Sequence, residues 1–158
     1  MPPDEYRIRA AGKMDAEVIA RQRVGMLRDM GMLDRREIDS LLAASRAYFA
    51  AALPSGEYRG WVVERGGEVA AGGGLLLRRL LPRPGHAEVG EEAYVLNVYT
   101  EPPHRRRGIA RRLTEYILAW CRARGVSRVA LHASVDGRHL YEQLGFVPTN
   151  EMRLELSP

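Results

Sequence analysis

Apolar residues recur along this chain at two periods, and the switches between them divide it into elements. Tyr6-Arg7-Ile8-Arg9-Ala10 alternates and predicts a first strand. Asp15 can cap a helix running to about Arg28, with Ile19, Met26 and Met30 on one side and Gly31 as its stop. Asp34 and Glu37 stand in the reciprocal positions of a capping box. They open a second helix through Leu41, Leu42, Ser45, Tyr48 and Phe49, which ends at Leu53-Pro54-Ser55-Gly56. Tyr58 to Glu64 and Val69 to Leu77 read as strands joined by the hairpin turn Arg65-Gly66-Gly67-Glu68. Gly72, Gly73 and Gly74 weaken the second of these, and point to a bulge or a close ligand approach.

After a loop from Leu81 to Glu91, Tyr94 to Thr100 reads as a strand buried on both faces. A helix from about Gly108 to Arg124 follows, with Ile109, Leu113, Ile117 and Trp120 on one face and Gly125 as its stop. Ser127 to Ala133 is the next strand. A strand–helix–strand unit of this kind should close as a right-handed crossover with parallel strands. Asp136 to Leu144 is a short helix stopped by Gly145, Phe146-Val147 begins a strand, and the alternating segment Met152 to Leu156 closes the sheet.

Composition narrows the class. The chain has 158 residues, 46% hydrophobic and 28% charged, which suits one globular domain over residues 1–158. It contains no run of about 18 apolar residues, so no membrane span is expected. The start, MPPDEYRIRA, has no apolar signal core, which predicts a cytoplasmic protein. A single cysteine, Cys121, allows no internal disulfide. It falls beside Trp120 on the apolar side of its helix and reads as a small buried hydrophobe. The four histidines, at 86, 104, 132 and 139, show no metal-ligand spacing, so no metal is expected.

The formal net charge is +4, and of the 24 basic residues only Lys13 is lysine. Uniform use of arginine reads as a coding bias, so the signal is where arginine clusters. It clusters after the strand ending at Thr100, in Glu101-Pro102-Pro103-His104-Arg105-Arg106-Arg107-Gly108-Ile109-Ala110-Arg111-Arg112. A helix start carries unpaired N–H groups and about half a positive charge from its aligned dipoles. Gly108 lets a ligand approach the backbone closely. The natural guest is a phosphate-bearing molecule. Nucleic acid fits less well: no basic stripe is interleaved with aromatics.

These residues carry a resemblance. Arg105-Arg106-Arg107-Gly108-Ile109-Ala110 is similar to the acetyl-CoA motif of the GNAT superfamily of N-acetyltransferases: Gln or Arg, two residues of any type, Gly, one of any type, then Gly or Ala. Leu96-Asn97-Val98-Tyr99-Thr100-Glu101-Pro102 resembles the family's fourth strand leading into that loop. Leu140-Tyr141-Glu142-Gln143-Leu144-Gly145-Phe146 resembles its Tyr–x–x–x–Gly–Phe segment. The element order agrees over nearly the whole chain. The implied fold is mixed α/β, with a central, mostly antiparallel sheet of about seven strands and four helices. Strands four and five would be parallel and splayed.

The resemblance implies a cosubstrate, acetyl-CoA, and an amine-bearing acceptor that attacks it directly in a ternary complex. The backbone amides of Arg105, Arg106, Arg107, Gly108, Ile109 and Ala110 would hold the pyrophosphate, with Arg111 and Arg112 adding charge. Val98, Tyr99 and Thr100 would pair with the pantetheine as an added strand. The Val98 N–H would polarise the acetyl carbonyl. Tyr141 would be the general acid that protonates the leaving thiolate. Ser134 stands where the family often has an asparagine that contacts the cofactor, and that departure leaves its contact open. Arg138 and His139 either reach the phosphates or face solvent.

The general base is not legible: Glu91, Glu92 and His132 are candidates that fit structural roles better. The acceptor side would involve Met26, Met30, Met32, Tyr48, Phe49 and Arg78-Arg79, which also fit plain core packing. The resemblance allows a homodimer. Two other readings stay open, a catalytically silent coenzyme A-binding or regulatory domain and an acyltransferase using another acyl-CoA.

Overall fold

The computed structural model describes residues 5 to 157. Its strands are β1 (Arg7–Ala10), β2 (Tyr58–Arg65), β3 (Glu68–Leu80), β4 (Gly90–Thr100) and β5 (Arg128–Leu131). Its helices are α1 (Ala16–Asp29), α2 (Ile38–Ser55), α3 (Ile109–Arg124) and α4 (Arg138–Gln143). The strands lie side by side in chain order. All neighbours are antiparallel except β4 and β5, whose connection through α3 makes them parallel.

Each face of the sheet carries its own core. On one face Ile109, Leu113, Ile117 and Cys121 of α3 pack against Trp61, Val63, Ala71, Leu75, Ala93 and Val95. The i, i+4 spacing of those α3 residues is the reason the helix lies flat on the sheet. On the other face Ala16, Ile19 and Ala20 of α1 and Phe49 and Ala52 of α2 meet Tyr58 and Val62. The buried stripe of α1 thus runs through Ile19, Ala20 and Val24, not toward Met26 and Met30; Met30 is 38% exposed. The reason is the shape of the interface: small residues let α1 sit close to the glycine-rich β3.

Asp15 stands at the head of α1, but its carboxylate caps no α1 amide. It accepts from Gly12 N–H and from both terminal nitrogens of Arg9, each at 2.8 Å. Arg9 Nε also donates to Glu64 Oε1 at 2.8 Å, so one guanidinium ties β1, β2 and the entry to α1 together. The Asp34–Glu37 capping box is formed as expected.

Two sequence expectations change. β4 starts at Gly90 and its burial alternates, because Tyr94, Leu96 and Val98 are only partly covered while Ala93, Val95, Asn97 and Tyr99 are buried. The sheet has five strands, not about seven. No described residue from Phe146 onward joins the ladder. Met152, Leu154 and Leu156 are 80% exposed or more. Their alternation specifies a face but not a partner, and the one free edge on that side is the four-residue β5. Pro148 also removes a ladder donor there.

The glycines of β3 prove to be packing devices. A Cβ on Gly74 would lie 2.3 Å from the Tyr58 ring and hydroxyl and 2.5 Å from the Arg59 carbonyl; one on Gly72 would meet Gln22 Oε1 at 2.4 Å. The close approach is therefore to other parts of the protein. Gly74→Ala should destabilise by about 2–4 kcal/mol, since backbone must move; urea unfolding measures it, and a loss under about 0.5 kcal/mol would contradict this packing.

Asp15 also predicts a pH dependence. Its pKa is held below the usual carboxylate range, first by the Arg9 hydrogen bonds, then by the Gly12 amide. A value lowered in the folded state contributes stability above the unfolded pKa of about 3.9 and loses it as pH falls through the folded value. The urea midpoint should drop below about pH 4, and Asp15→Asn should lower it at neutral pH while flattening that drop.

Candidate functional site

The site begins where strand pairing stops. β4 and β5 are in register from Glu92↔Arg128 to Val95↔Leu131. β5 ends there, while β4 runs on to Thr100. From Leu96 to Thr100 that edge of β4 has no strand partner among the described residues. On its other edge, Gly72 pairs with Tyr99 and Gly74 with Leu96, so Asn97 and Val98 together oppose Gly73. This is a bulge, with Asn97 at φ 58. Asparagine tolerates the left-handed region better than most residues, and Arg23 Nη1 donates to its Oδ1 at 2.7 Å.

Beyond Thr100 the chain makes a 3-10 turn over Pro102–His104 and enters α3. Arg106 (φ 63) and Gly108 (φ 73) both take left-handed conformations. The first bond into the α3 ladder runs from Arg112 N–H to the Gly108 carbonyl at 3.1 Å, and no side chain caps the helix. The amides from Arg106 to Arg111 thus have no acceptor among the described residues. Amides left free around αL residues are concave anion sites.

The five arginine side chains divide. Arg106 and Arg107 are exposed, without a hydrogen bond or ion pair among the described residues. Arg111 donates to Gln143 Oε1 at 2.6 Å and Glu115 Oε1 at 3.4 Å, and Arg112 to the Tyr6 carbonyl at 3.4 Å. Arg105 turns away from the loop. Its Nε donates to the Thr100 carbonyl at 2.9 Å, its Nη2 to Asp29 Oδ2 at 2.7 Å, and its guanidinium lies 5.2 Å from the Tyr99 ring centre.

Tyr141 lies on α4 with its ring edge-on to Phe146, centroids 5.8 Å apart. Burial pushes its phenol pKa up. It lines a cleft of about 770 Å3 with Tyr94, Leu131, Ala133, Phe146 and Met152. The Arg111–Gln143 bond joins α4 to the start of α3, but Val98 and the Arg105–Ala110 loop do not line this cleft. Ser134 Oγ accepts from the Gly137 N–H at 3.1 Å, which commits it to the turn before α4.

The end of β4–β5 pairing after Val95, the bulge at Asn97 and the uncapped start of α3 thus lie on one continuous stretch of chain. The sequence profile of the Acetyltransferase (GNAT) family matches residues 27–146. The chain belongs to the GNAT acetyltransferase family. A GCN5-related N-acetyltransferase from Ralstonia eutropha JMP134 is similar at 34% identity and a TM-score of 0.87, over 96% of this chain and 99% of that one. A predicted acetyltransferase from Clostridium acetobutylicum, solved with acetyl-CoA, shares 27% identity and a TM-score of 0.82 over 97% and 96% of the two chains. A mycothiol acetyltransferase from Beutenbergia cavernae is 38% identical over 91 residues, 56% of this chain but 28% of that protein. The chain thus matches under a third of that relative's length. No helix among the described residues is long and apolar enough to cross a membrane.

Within this GNAT fold the candidate bases are occupied. Glu91 accepts from Arg124 at 3.0 Å. Glu92, with a side chain 8% exposed, sits between Arg78 at 2.6 Å and Arg128 at 2.8 Å. His132 Nδ1 lies 3.1 Å from Arg153 Nη2. The Cys121 thiol is buried, and burial raises its pKa, so it stays a protonated core group. Phe49 belongs to the core, whereas Met30 and Met32 are exposed. Arg138 pairs with Glu142 at 2.8 Å and His139 contacts Gln143, which leaves both at the surface of α4. Two residues that sequence reasoning passed over are central: Asn97, in the bulge, and Asp29, which holds Arg105. Asp29 did carry a signal, since a carboxylate at a helix C-terminus opposes the dipole and needs a partner.

A Cβ on Gly108 would meet nothing within 4 Å, so its need is conformational. Gly108→Val should weaken coenzyme A binding by about tenfold or more, since a β-branched residue resists φ > 0. Arg106→Ala, which keeps an L-residue at its φ, should cost about threefold or less. Isothermal titration of both variants checks this, and the reverse order would contradict an amide cradle.

Proposed function

We propose that this protein transfers the acetyl group of acetyl-CoA to a primary amine of a small molecule or peptide, by direct attack in a ternary complex. The observation that carries the reading is the union of two features on one strand. β4 loses its β5 partner after Val95, and it runs directly into a loop of unpaired amides at the head of α3. A pantetheine-like chain can add to the free edge as a strand does, and a pyrophosphate suits the amides. Family membership and the acetyl-CoA-bound relative support the choice of ligand.

On this reading Val98, Tyr99 and Thr100 bind the pantetheine, and Arg106 to Ala110 form the cradle; the Arg105 amide, expected to join it, is instead taken by the Pro102 carbonyl at 3.3 Å. Arg106 and Arg107 face outward with charge to spare, and Arg111 adds charge while bridging to α4. Ser134, engaged with Gly137, shapes the turn that carries Tyr141. The Val98 amide supplies the hydrogen bond that polarises the acetyl carbonyl and steadies the oxyanion. Tyr141 supplies the proton for the departing thiolate. Its raised pKa keeps it protonated through neutral pH, as a general acid must be. Glu91, Glu92 and His132 are tied to arginines, which favours water over a side chain as the acceptor of the amine proton.

Thiol release from acetyl-CoA, measured over a panel of polyamines, amino acids, aminoglycosides and peptide N-termini, tests the function; no release with any amine would overturn it. With the acceptor so found, Tyr141→Phe should lower kcat about 100-fold while coenzyme A affinity stays within about twofold. Unchanged kcat would remove Tyr141 from the acid role.

A further inference from the structure

The five residues Gly25, Asp29, Tyr99, Thr100 and Arg105 form one contact that joins the last turn of α1 to the proposed cradle. Gly25 and Asp29 are one turn apart and share a face of α1. A Cβ on Gly25 would lie 3.0 Å from the Tyr99 hydroxyl, so its absence admits that ring. The Tyr99 hydroxyl then donates to Asp29 Oδ2 at 3.3 Å. Arg105 Nη2 donates to the same oxygen at 2.7 Å, its Nε reaches the Thr100 carbonyl at 2.9 Å, and its guanidinium stacks on Tyr99. The Nε and Nη2 groups of the guanidinium are both engaged within the protein. The carboxylate sits at the C-terminal end of α1, where the dipole disfavours it. It also sits beside the loop that must attract an anion.

We infer that Arg105 is a positioning residue, braced by Asp29, that sets the Arg106–Ala110 amides for the pyrophosphate and does not itself contact the phosphates. The inference rests on the reading of that loop as the acetyl-CoA cradle. A brace of this kind acts by preorganisation: it lowers the ordering cost that binding would otherwise meet. It also makes α1 part of the coenzyme A site.

The test turns on sign. Simple Coulomb attraction says that removing a carboxylate near an anion site tightens anion binding. The brace says the opposite. Asp29→Ala should weaken coenzyme A binding by about three- to tenfold in isothermal titration. The melting temperature of the free protein should hold, because alanine favours the helix end that aspartate opposes. Arg105→Lys keeps the charge but loses the fork, and it should bind coenzyme A as weakly as Arg105→Ala. In turnover, Asp29→Ala should raise KM for acetyl-CoA with kcat within about twofold of the parent. Unchanged or tighter binding by Asp29→Ala, or parental affinity in Arg105→Lys, would overturn the brace. Gly108→Val separates the two levels: if it too leaves coenzyme A binding unchanged, the cradle itself is wrong.

Discussion

The structure turns on an interruption of strand pairing. A sheet of five neighbours would normally pair along each shared edge, yet β5 stops at Leu131 while β4 runs on to Thr100. Peptide groups freed in this way need partners, since backbone donors and acceptors are rarely left unmade. The bulge at Asn97 adds a second irregularity at the same point on the opposite edge. It is kept by Arg23 from α1 and by the glycines of β3 that let Tyr58 and Gln22 press close. The packing of the α1 and α2 face thus presses on the strands beside the bulge.

Charge plays a smaller part than the run of arginines suggests. Three of the five arginines at the α3 start are spent on contacts within the protein, leaving Arg106 and Arg107 without partners among the described residues. Exposed guanidinium groups contribute modestly and are screened by salt. Amides with fixed directions, held by two left-handed residues, give shape as well as attraction. On the proposed reading, the arginines assist encounter and the backbone provides the fit.

Much of this was legible in the chain, and its limits are physical. The helices, the first five strands and the parallel pair follow from periodicity and from glycine and proline punctuation, which are local signals. The family motif singles out Gly108, Val98 and Tyr141 as candidates. What escaped was non-local. Nothing near Arg105 in sequence says that Asp29 will take its guanidinium, and nothing near Gly74 says that Tyr58 will fill its space. Phe146-Val147 and the alternation at Met152, Leu154 and Leu156 point to two closing strands, but a pattern of faces does not create an edge to pair with. The expected grouping of Val98 with Tyr141 is also incomplete, since the cleft at Tyr141 is not walled by β4 beyond Tyr94.

The central claim is that backbone amides, not arginine side chains, hold the acyl carrier. Amide chemical shifts recorded while coenzyme A is titrated into the protein test it directly. The account predicts that the largest changes fall on the amides of Arg106 to Ala110, with the Arg105 side-chain Nε signal nearly unmoved because Thr100 keeps it. Large changes at the Arg105 side chain with little movement of those amides would contradict it.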